Sequence, residues 1–330
     1  MKLIVTGCYG FIGFNFINYL KNKYKNEIKI IGIDNLNNYY SRKNFNIYNN
    51  FDFLKIDINN INKAESNILK NVDGLINFAA ESHVDNSISD PQKFIHSNVS
   101  GLAKLLEFSI NKEINNFLHI STDEVYGSMK SGYAKETSIF NPSSPYSGSK
   151  GAAELMLKSF SKTYGYPVKV VRPANNYGIY QQPEKLIPFS IINLLEGNNI
   201  ELYGDGKNIR HWLSVNDTCS AIDKVLLNGK DNEAYNIGSG VYLTNLAISK
   251  KIINILNLDE NRISFIEDRP GHDFRYAVDY QKLKNLGWKN TVNFDNELEK
   301  TVVWYKENKK WWNRGMKSIL EQRKKRFNLG

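Results

Sequence analysis

Residues 3–13, LIVTGCYGFIG, combine an apolar run with three glycines at intervals of three. This pattern predicts a buried strand that turns directly into a helix. Gly7 allows the tight turn, Gly10 lets the backbone approach a pyrophosphate closely, and Gly13 lets the helix pack against the sheet. The helix N-terminus adds a partial positive charge. The stretch therefore predicts a binding site for a dinucleotide.

An acid follows the next strand-like run at the distance expected for a ribose-binding carboxylate. Residues 28–33 are largely apolar and lead into Asp34. The Asp34 carboxylate would accept hydrogen bonds from the adenosine ribose and repel the extra phosphate of NADP, so NAD is favoured. A helix cap or turn residue is the alternative for Asp34. Further candidate cofactor contacts are Phe11 and Ile12 in the first helical turn and Asn35 beside the acid.

A third strand-like run ends before Asp57 and Ile58, which are candidates for holding the adenine edge. An ordinary turn is the alternative for this pair. Both interpretations place the two residues at the end of a strand, where α/β sheets bind ligands.

Strand-like and helical stretches alternate along the first half of the chain. The strand-like runs are residues 3–6, 28–33, 53–56, 74–78, 116–120 and 167–171. Helical stretches are read at residues 91–110, 146–164 and 186–195, and a later strand-like run lies at residues 234–238. This alternation predicts an α/β fold with a Rossmann-type, doubly wound parallel sheet. We expect an NAD-binding domain at residues 1–173 and mainly a smaller substrate-binding lobe at residues 174–330, with about 215–240 returning to the sheet.

The composition limits the classes of protein to which the chain can belong. Its 330 residues, 41% of them hydrophobic, suffice for one large α/β unit and a smaller lobe. No apolar run approaches the roughly 18–20 residues of a membrane span, and the two cysteines are too few for a disulfide framework. We therefore expect a cytoplasmic protein without a membrane partner.

The net charge of +9 leaves three explanations open: nucleic acid, an anionic small ligand, or a lysine-rich surface. Most of the cations are spread along the chain, so we favour the surface and expect no nucleic-acid partner. A basic cluster after residue 308 predicts a solvated terminal helix.

Tyr146 and Lys150 are four residues apart, so on a helix they share a face. A tyrosine has a reference pKa of about 10 and must ionise near neutral pH to act as a base. The Lys150 ammonium and an oxidised nicotinamide would both favour the phenolate and lower its pKa. Together with Thr122, placed to hydrogen-bond a substrate hydroxyl, the pair predicts hydride-transfer chemistry.

Asp123 and Glu124 are adjacent carboxylates. Neighbours on a regular strand point to opposite faces, so both acids reach one site only if the strand ends there. Gly127 agrees with such an end. Two carboxylates in one site can divide the work of acid and base, and a pair of solvated loop acids is the alternative. The five histidines show no metal-ligand spacing, so we expect no metal.

Several longer motifs carry a resemblance to a known family. They are residues 6–13, 79–85 (AAESHVD), 120–127, 142–150, 175–178 (NNYG), 183–188 (PEKLIP), 203–206 (YGDG) and 267–273 (EDRPGHD). On these motifs the chain resembles, nearly end to end, the nucleoside-diphosphate-sugar 4,6-dehydratases of the extended short-chain dehydrogenase/reductase superfamily. The similarity is greatest to members that act on dTDP-glucose.

The resemblance implies a redox-neutral reaction on bound NAD. Tyr146 would take the proton of the sugar 4-hydroxyl as the C4 hydride passes to NAD, with Thr122 holding the oxygen. Glu124 would then remove the C5 proton while Asp123 protonates the leaving 6-hydroxyl, and the hydride would return to C6. The implied product is dTDP-4-keto-6-deoxyglucose.

The resemblance also implies which residues bind the two ligands. Ala79 and Ala80 would belong to the cofactor site. The positions beside the cofactor or the sugar would be Glu81, Ser82 and His83. The pyrophosphate and nucleoside would be held by Asn176, Arg210, Asn245, Arg269 and His272. The base would be enclosed by Glu184, Lys185 and Tyr203.

Some positions depart from the family pattern. Ala174 stands where a serine is usual, Gly148 and Gly151 replace common alanines, and Arg210-His211-Trp212-Leu213-Ser214 replaces Arg-Asp-Trp-Leu-Tyr. We therefore expect His211 and Ser214 to bear on which nucleotide is bound. The segment between residues 34 and 57 is also unlike the usual one.

Three other functions stay open at this point. The first is the same dehydration of a CDP-, UDP- or GDP-linked hexose, and the second is a nucleotide-sugar 4-epimerase or UDP-glucuronate decarboxylase. The third is a nucleotide-sugar- or NAD-binding protein without catalysis. Members of the superfamily usually dimerise through paired helices, so we expect a homodimer in which residues 90–110 and 146–164 form a four-helix interface.

Overall fold

The computed structural model describes residues 1–64 and 67–326. Its strands are β1 Lys2–Thr6, β2 Lys29–Asp34, β3 Asp52–Lys55, β4 Gly74–Asn77, β5 Phe117–Ile120, β6 Val168–Pro173, β7 Asn175–Tyr177, β8 Ile200–Tyr203, β9 Ile209–Ser214, β10 Glu233–Ile237, β11 Tyr242–Thr244 and β12 Ile263–Ile266. Its α-helices are α1 Phe11–Tyr24, α2 Tyr39–Ile47, α3 Val84–Ser89, α4 Pro91–Phe94, α5 Gly101–Asn111, α6 Pro145–Tyr164, α7 Leu186–Leu195, α8 Val215–Asn228, α9 Asn245–Ile255, α10 Gln281–Asn285, α11 Phe294–Glu307 and α12 Lys309–Arg326.

Seven parallel strands form the main sheet, in the order β10-β6-β5-β4-β1-β2-β3. The strand order reverses between β1 and β4, which opens a crevice at the carboxyl ends of these strands. The predicted doubly wound parallel sheet is confirmed. The six strand-like runs of the first half are its strands β1 to β6, each within two residues of the predicted limits.

Alternation of side chains along the strands divides the core into two layers. Leu3 and Val5 of β1 pack in one cluster with residues of α1 and α8. Ile4, between them, packs in the other cluster with residues of α5 and α6. Both faces of the strand are therefore buried, which explains its continuous apolar sequence.

The helical stretch predicted at residues 91–110 contains a change of winding. A π-helical turn, Ile95–Ser100, joins α4 to α5. This turn and α6 pack together on one face of the sheet.

A second layered unit follows β6. It contains the three-stranded sheet β11-β9-β7 and the parallel pair β12-β8, and its core gathers apolar side chains of α7, α9, α11 and α12. Residues 215–237 leave this unit, since α8 packs against α1 and β10 pairs with β6 as the last strand of the main sheet. The division at residue 173 stays a proposal.

The basic C-terminal cluster begins on a helix that is only partly solvated. In α12, Trp311 and Trp312 are 5% and 1% exposed, so the prediction of a solvated helix is wrong for this face. The side chains of Lys317 and of residues 321–326 lie outside the described part of the chain. Within the described residues, no helix combines the length and the apolarity needed to cross a bilayer.

Candidate active site

The glycine-rich turn after β1 leaves no room for side chains. Gly7 has a φ of +61°, and a Cβ there would lie 2.7 Å from the main-chain nitrogen of Ala79. A Cβ at Gly13 would lie 2.3 Å from the Gly7 carbonyl oxygen. Since α1 begins at Phe11, the turn presents main-chain atoms and a helix N-terminus, as a diphosphate requires.

A cavity of about 610 Å³ opens at this turn. The predicted cofactor residues that line it are Gly7, Gly10, Asp34, Asn35, Asp57, Ile58, Ala79 and Ala80. The Phe11 side chain packs in the core and Ile12 packs against it, so these two residues enter the site only through their main chain. The cavity and the glycine turn together fit a dinucleotide.

Asp34 at the end of β2 and Asp57 after β3 already accept hydrogen bonds within the protein. The Asp34 carboxylate accepts hydrogen bonds from the N–H groups of Tyr9, at 3.1 Å, and Leu36, at 2.8 Å, while its burial raises its pKa. Asp57 caps the following turn by accepting from the N–H of Asn59, and it accepts from Asn35 Nδ2 at 2.8 Å. Asp34 and Asp57 thus serve as turn residues and also line the cavity.

The strand before the adjacent acids ends where the sequence predicted. β5 stops at Ile120, and Thr122 starts a 3₁₀ turn by accepting a hydrogen bond from the N–H of Glu124. Gly127 closes this turn with a φ of +68°, and a Cβ there would lie 2.0 Å from the Asn141 carbonyl oxygen. The turn directs the chain out of the sheet, so the side chains of Asp123 and Glu124 need not point to opposite faces, as neighbours on a strand would.

Helix α6 brings Tyr146 and Lys150 to the end of β5. Ser144 caps the helix in a capping box, and Pro145 occupies its first position. Tyr146 and Lys150 lie one turn apart and are buried, as are Thr122 and Asp123. The spacing therefore does place the two side chains on one face of a helix.

The protein's own groups around Tyr146 raise its pKa. Lys150 Nζ donates to the Ile120 carbonyl oxygen at 2.6 Å and lies 3.3 Å from His119 Nε2. Burial raises the pKa of Tyr146, the charge of Glu124 raises it further, and a hydrogen bond with Thr122 opposes both. Among the protein's own groups burial has the largest effect, and the Lys150 ammonium is bound to the main chain. That Lys150 and an oxidised nicotinamide together lower this pKa stays a prediction.

The two adjacent acids have different surroundings. Burial and the neighbouring Glu124 charge raise the pKa of Asp123 well above its usual value, and Asp123 Oδ2 has no hydrogen-bond partner among the described residues. Burial also raises the pKa of Glu124, but the cations Lys185, Arg269 and Arg210 oppose this shift. Asp123 therefore retains a proton more readily, as a general acid must.

A second cavity, of about 170 Å³, adjoins the first, because His83, Asp85 and Glu184 line both. Glu124 lines it as well. Every predicted substrate residue lines one cavity or the other: Ser82 the larger, His83 and Glu184 both, and Asn176, Lys185, Tyr203, Arg210, Asn245, Arg269 and His272 the smaller. The buried Oδ1 atoms of Asn175 and Asn245 have no hydrogen-bond partner within the described ranges, which suits a polar ligand.

Asp85 joins several of these residues, and our sequence reasoning missed it. Its carboxylate lies 2.5 Å from Arg269 Nη1 and accepts a hydrogen bond from the Tyr203 hydroxyl at 3.0 Å. The available signal was its place in the motif of residues 79–85. Asp85 therefore connects the first domain to two nucleotide-site candidates of the second unit.

His272 is held in its neutral form near neutral pH. Burial and the charges of Arg269 and Arg210 lower its pKa to about 4, against the opposing effect of Asp268. His272 Nδ1 lies 2.6 Å from Asp268 Oδ1. With Nδ1 donating to Asp268, the neutral imidazole keeps Nε2 as a hydrogen-bond acceptor and adds no charge to this site.

Tyr276 is a second residue that the sequence reasoning missed. Its hydroxyl donates to Asp273 Oδ2 at 2.7 Å and lies 3.4 Å from Glu124 Oε2. The guanidinium of Arg210 lies 4.5 Å from the centre of its ring. Tyr276 follows the motif of residues 267–273 by three positions, and it lines the smaller cavity.

His211 and Ser214, which depart from the family pattern, line neither cavity. His211 is fully buried, and its Nε2 accepts hydrogen bonds from the N–H groups of Ser239 and Gly240. Ser214 caps α8 by accepting from the N–H of Asn216. The expectation that these two residues bear on the nucleotide finds no supporting contact, since both side chains serve local structure.

No group of three or more His, Cys, Asp or Glu side chains is arranged to hold a metal ion in the described part of the chain. The glycine turn, the Tyr146–Lys150 pair on α6 and the seven-stranded parallel sheet define a protein of the extended short-chain dehydrogenase/reductase class. The family model described as GDP-mannose 4,6 dehydratase matches residues 4–301. The chain belongs to this family of nucleotide-sugar 4,6-dehydratases.

Individual relatives give the degree of similarity. The chain is 41% identical over 308 residues to the low-salt glycan biosynthesis protein Agl12 of Haloferax volcanii, covering 92% of this chain and 98% of the relative. It is 38% identical over 323 residues to the dTDP-glucose 4,6-dehydratase of Streptomyces niveus, covering 94% and 95%. The crystal structure of DesIV, a dTDP-glucose 4,6-dehydratase from Streptomyces venezuelae with NAD bound, superposes with a TM-score of 0.89 at 39% identity, covering 94% and 99%.

Proposed function

We propose that this protein is a lyase that converts dTDP-glucose to dTDP-4-keto-6-deoxyglucose, with NAD recycled in each turnover. The observation that carries the proposal is the pair Asp123 and Glu124, lifted out of the sheet at the end of β5 beside Tyr146. Elimination of water from C5 and C6 needs both an acid and a base, whereas simple hydride transfer needs neither carboxylate. Similarity to dTDP-glucose 4,6-dehydratases over more than nine-tenths of the chain supports the substrate.

The residues of the larger cavity suit NAD. The Gly7–Gly10 turn and the start of α1 would hold the diphosphate, and Asp34 would face the adenosine ribose. Bound NAD would accept a hydride from C4 of the sugar and return it to C6. Tyr146 and Lys150, at the end of β5, would lie next to the nicotinamide.

The proposed roles of Glu124 and Asp123 fit their surroundings, whereas the base role of Tyr146 requires an oxidised nicotinamide beside it to lower its raised pKa. Tyr146 takes the proton of the sugar 4-hydroxyl, and Thr122 holds that oxygen. Glu124, near three cations that favour its carboxylate, removes the C5 proton. Asp123, whose pKa is raised well above its usual value, gives its proton to the leaving 6-hydroxyl, which departs as water. As the hydride returns to C6, C5 takes up a proton again from Glu124.

The first test is to incubate the purified protein with dTDP-glucose without added cofactor and to follow the sugar nucleotide by mass spectrometry. Loss of one water is the expected result. Parallel incubations with the CDP-, UDP- and GDP-linked hexoses test the other nucleotides. Formation of an epimer without loss of water, or no reaction even with added NAD, would contradict the proposal.

A second test addresses the role of Glu124. Glu124→Gln should abolish incorporation of solvent deuterium at C5 and stop product formation, because an amide cannot accept that proton. The matched control is Glu299→Gln, an exposed glutamate of α11 that lines neither cavity, which should turn over normally. Undiminished exchange in Glu124→Gln would assign the base to another residue.

We also propose a cytoplasmic homodimer built on α6 and the π-helical turn. Two apolar side chains there are exposed, Ile95 at 47% and Leu155 at 62%. Pairing of these surfaces between two copies would bury them and form a four-helix interface. Light scattering at micromolar concentration should give the dimer mass, and a monomer mass would contradict the proposal.

A further inference from the structure

The last helix reaches across to the NAD-binding domain. Trp311 Nε1 of α12 donates to Asn44 Oδ1 of α2 at 2.9 Å, and the rings of Trp311 and Tyr40 lie 4.8 Å apart. A Cβ at Gly315 would lie 2.3 Å from the Tyr40 hydroxyl oxygen. Helix α12 therefore lies on α2 so closely that any side chain at position 315 would have to displace Tyr40.

This contact forms part of the wall of the larger cavity. Arg314, Gly315 and Ile319 of α12 line it, and so do Tyr39, Tyr40, Ser41 and Arg42 of α2. The same cavity contains the Gly7–Gly10 turn and Asp34. A cofactor held by those residues would share its cavity with the C-terminal helix.

Helix α12 lies beyond the part of the chain that the family model matches, whereas α2 lies within it. The family match ends at residue 301, whereas α12 begins at Lys309. Helix α2 lies in the segment between residues 34 and 57, which is unlike the usual one. A helix beyond the family match and an unusual segment within it therefore meet at the larger cavity.

Three lysine or arginine side chains line the larger cavity, and two of them have partners. Lys93 Nζ lies 2.8 Å from Glu81 Oε1, and Arg42 Nη1 donates to the carbonyl oxygens of Leu36 and Asn37. Arg314 is exposed and forms no ion pair with the residues that the structure describes. Its guanidinium is available to bind an anion.

We propose that α12 is part of the NAD site, with Arg314 binding the cofactor's diphosphate and Gly315 allowing the helix to close against α2. This inference rests on the proposed use of NAD. The diphosphate is the anionic group of NAD, and a guanidinium matches phosphate oxygens with parallel N–H donors. The helix would tighten the binding of NAD and slow its release.

The test is the affinity of the cofactor-free full-length protein for NAD, measured by calorimetry, with the release rate measured by stopped-flow fluorescence. Arg314→Ala should weaken binding about tenfold, as expected for loss of a charge-assisted hydrogen bond. Arg314→Lys should recover part of the loss. The matched control is Lys310→Ala, an exposed cation of α12 that does not line the cavity, and it should bind NAD like the wild type.

Gly315→Ala provides a variant that keeps every charge. It should speed NAD release several-fold, because its methyl group pushes α12 away from Tyr40, and thermal unfolding of the cofactor-free protein checks its fold. Equal NAD affinity in Arg314→Ala and wild type, or an equal loss in Lys310→Ala, would overturn the inference. A wild type that binds NAD through Arg314 but leaves dTDP-glucose unchanged would remove the proposed function and retain this inference.

Discussion

The imidazole of His211 accepts two main-chain hydrogen bonds, from Ser239 and Gly240, each at 2.9 Å. It also stacks on Tyr242, with ring centres 4.2 Å apart. Burial lowers the pKa of His211 to about 3, so its Nε2 stays an acceptor throughout the physiological range. At this position the residue stabilises a turn, and it lines neither cavity.

We predict that His211→Ala costs about 1–3 kcal/mol of the free energy of unfolding, because two buried N–H groups lose their acceptor. The KM for the sugar nucleotide should stay within about twofold, since the side chain lines neither cavity. Urea unfolding and steady-state kinetics measure the two quantities. His211→Asp, which restores an acceptor, serves as the control, and an altered KM with unchanged stability would contradict the prediction.

Lys150 gives a prediction about pH. Burial lowers its pKa to about 8, from 10.5 in the unfolded chain, although Glu154 opposes the shift. Between these two pH values the unfolded chain binds more protons than the folded protein, so the contribution of Lys150 to stability rises with pH. Below pH 8 both states are protonated, and the unfavourable burial of the charge is constant.

Lys150→Met removes this buried charge. The difference in free energy of unfolding between the variant and the wild type should favour the variant most below about pH 8 and should shrink steadily towards pH 10.5. Denaturant unfolding over this range measures it. Lys158→Met, at an exposed position of α6, should show no such trend. A difference that is independent of pH would contradict the predicted pKa shift.

At the scale of elements, a buried ion pair fastens α6 to β6. Arg172 Nη2 lies 2.6 Å from Glu154 Oε2, and Ser121 donates to Glu154 Oε1 at 2.5 Å. Arg172 Nη1 also donates to the Tyr126 hydroxyl at 2.5 Å. Since Ser121 and Tyr126 flank the turn that carries Asp123 and Glu124, the pair positions this turn against the helix of Tyr146 and Lys150.

We predict that Arg172→Met lowers the free energy of unfolding by about 3–5 kcal/mol, because it leaves the Glu154 carboxylate buried without its partner. The double variant Arg172→Met, Glu154→Met should be less destabilised than the sum of its single variants. A double-mutant cycle by chemical unfolding gives this coupling. Additive losses would show that the two side chains act independently.

At the scale of the whole molecule, the proposed dimer can be tested by placing one charged side chain in its interface. Leu155→Arg places a cation on the exposed face of α6 and should shift the mass from dimer to monomer, because an unpaired charge is costly to bury in an interface. Leu227→Arg is the matched control, since Leu227 is 51% exposed on α8. Light scattering separates the outcomes, and loss of the dimer in both variants or in neither would argue against this interface.

Much of the architecture follows from patterns that are local in the chain. Strands β1 to β6, the helix of residues 186–195 and the end of β5 before the two acids were all predictable, because strand burial and glycine turns leave periodic signals within a few residues. The motifs also led to ten substrate-site candidates that line the two adjoining cavities. A motif can be recognised in the sequence even where the residues that it contacts in space lie far away along the chain.

Contacts between segments that are far apart in the sequence leave no periodic pattern from which they could be predicted. Asp85 meets Arg269 across 184 positions, and Trp311 meets Asn44 across 267, so neither contact could be read from spacing. The pKa of Tyr146 also depended on the fold, because burial and the charges of Glu124 and Asp123 raise it, against a hydrogen bond with Thr122. Local sequence thus specified the elements and the types of reacting group, whereas tertiary packing set their electrostatics and their partners, since dielectric surroundings and long-range contacts exist only in the folded chain.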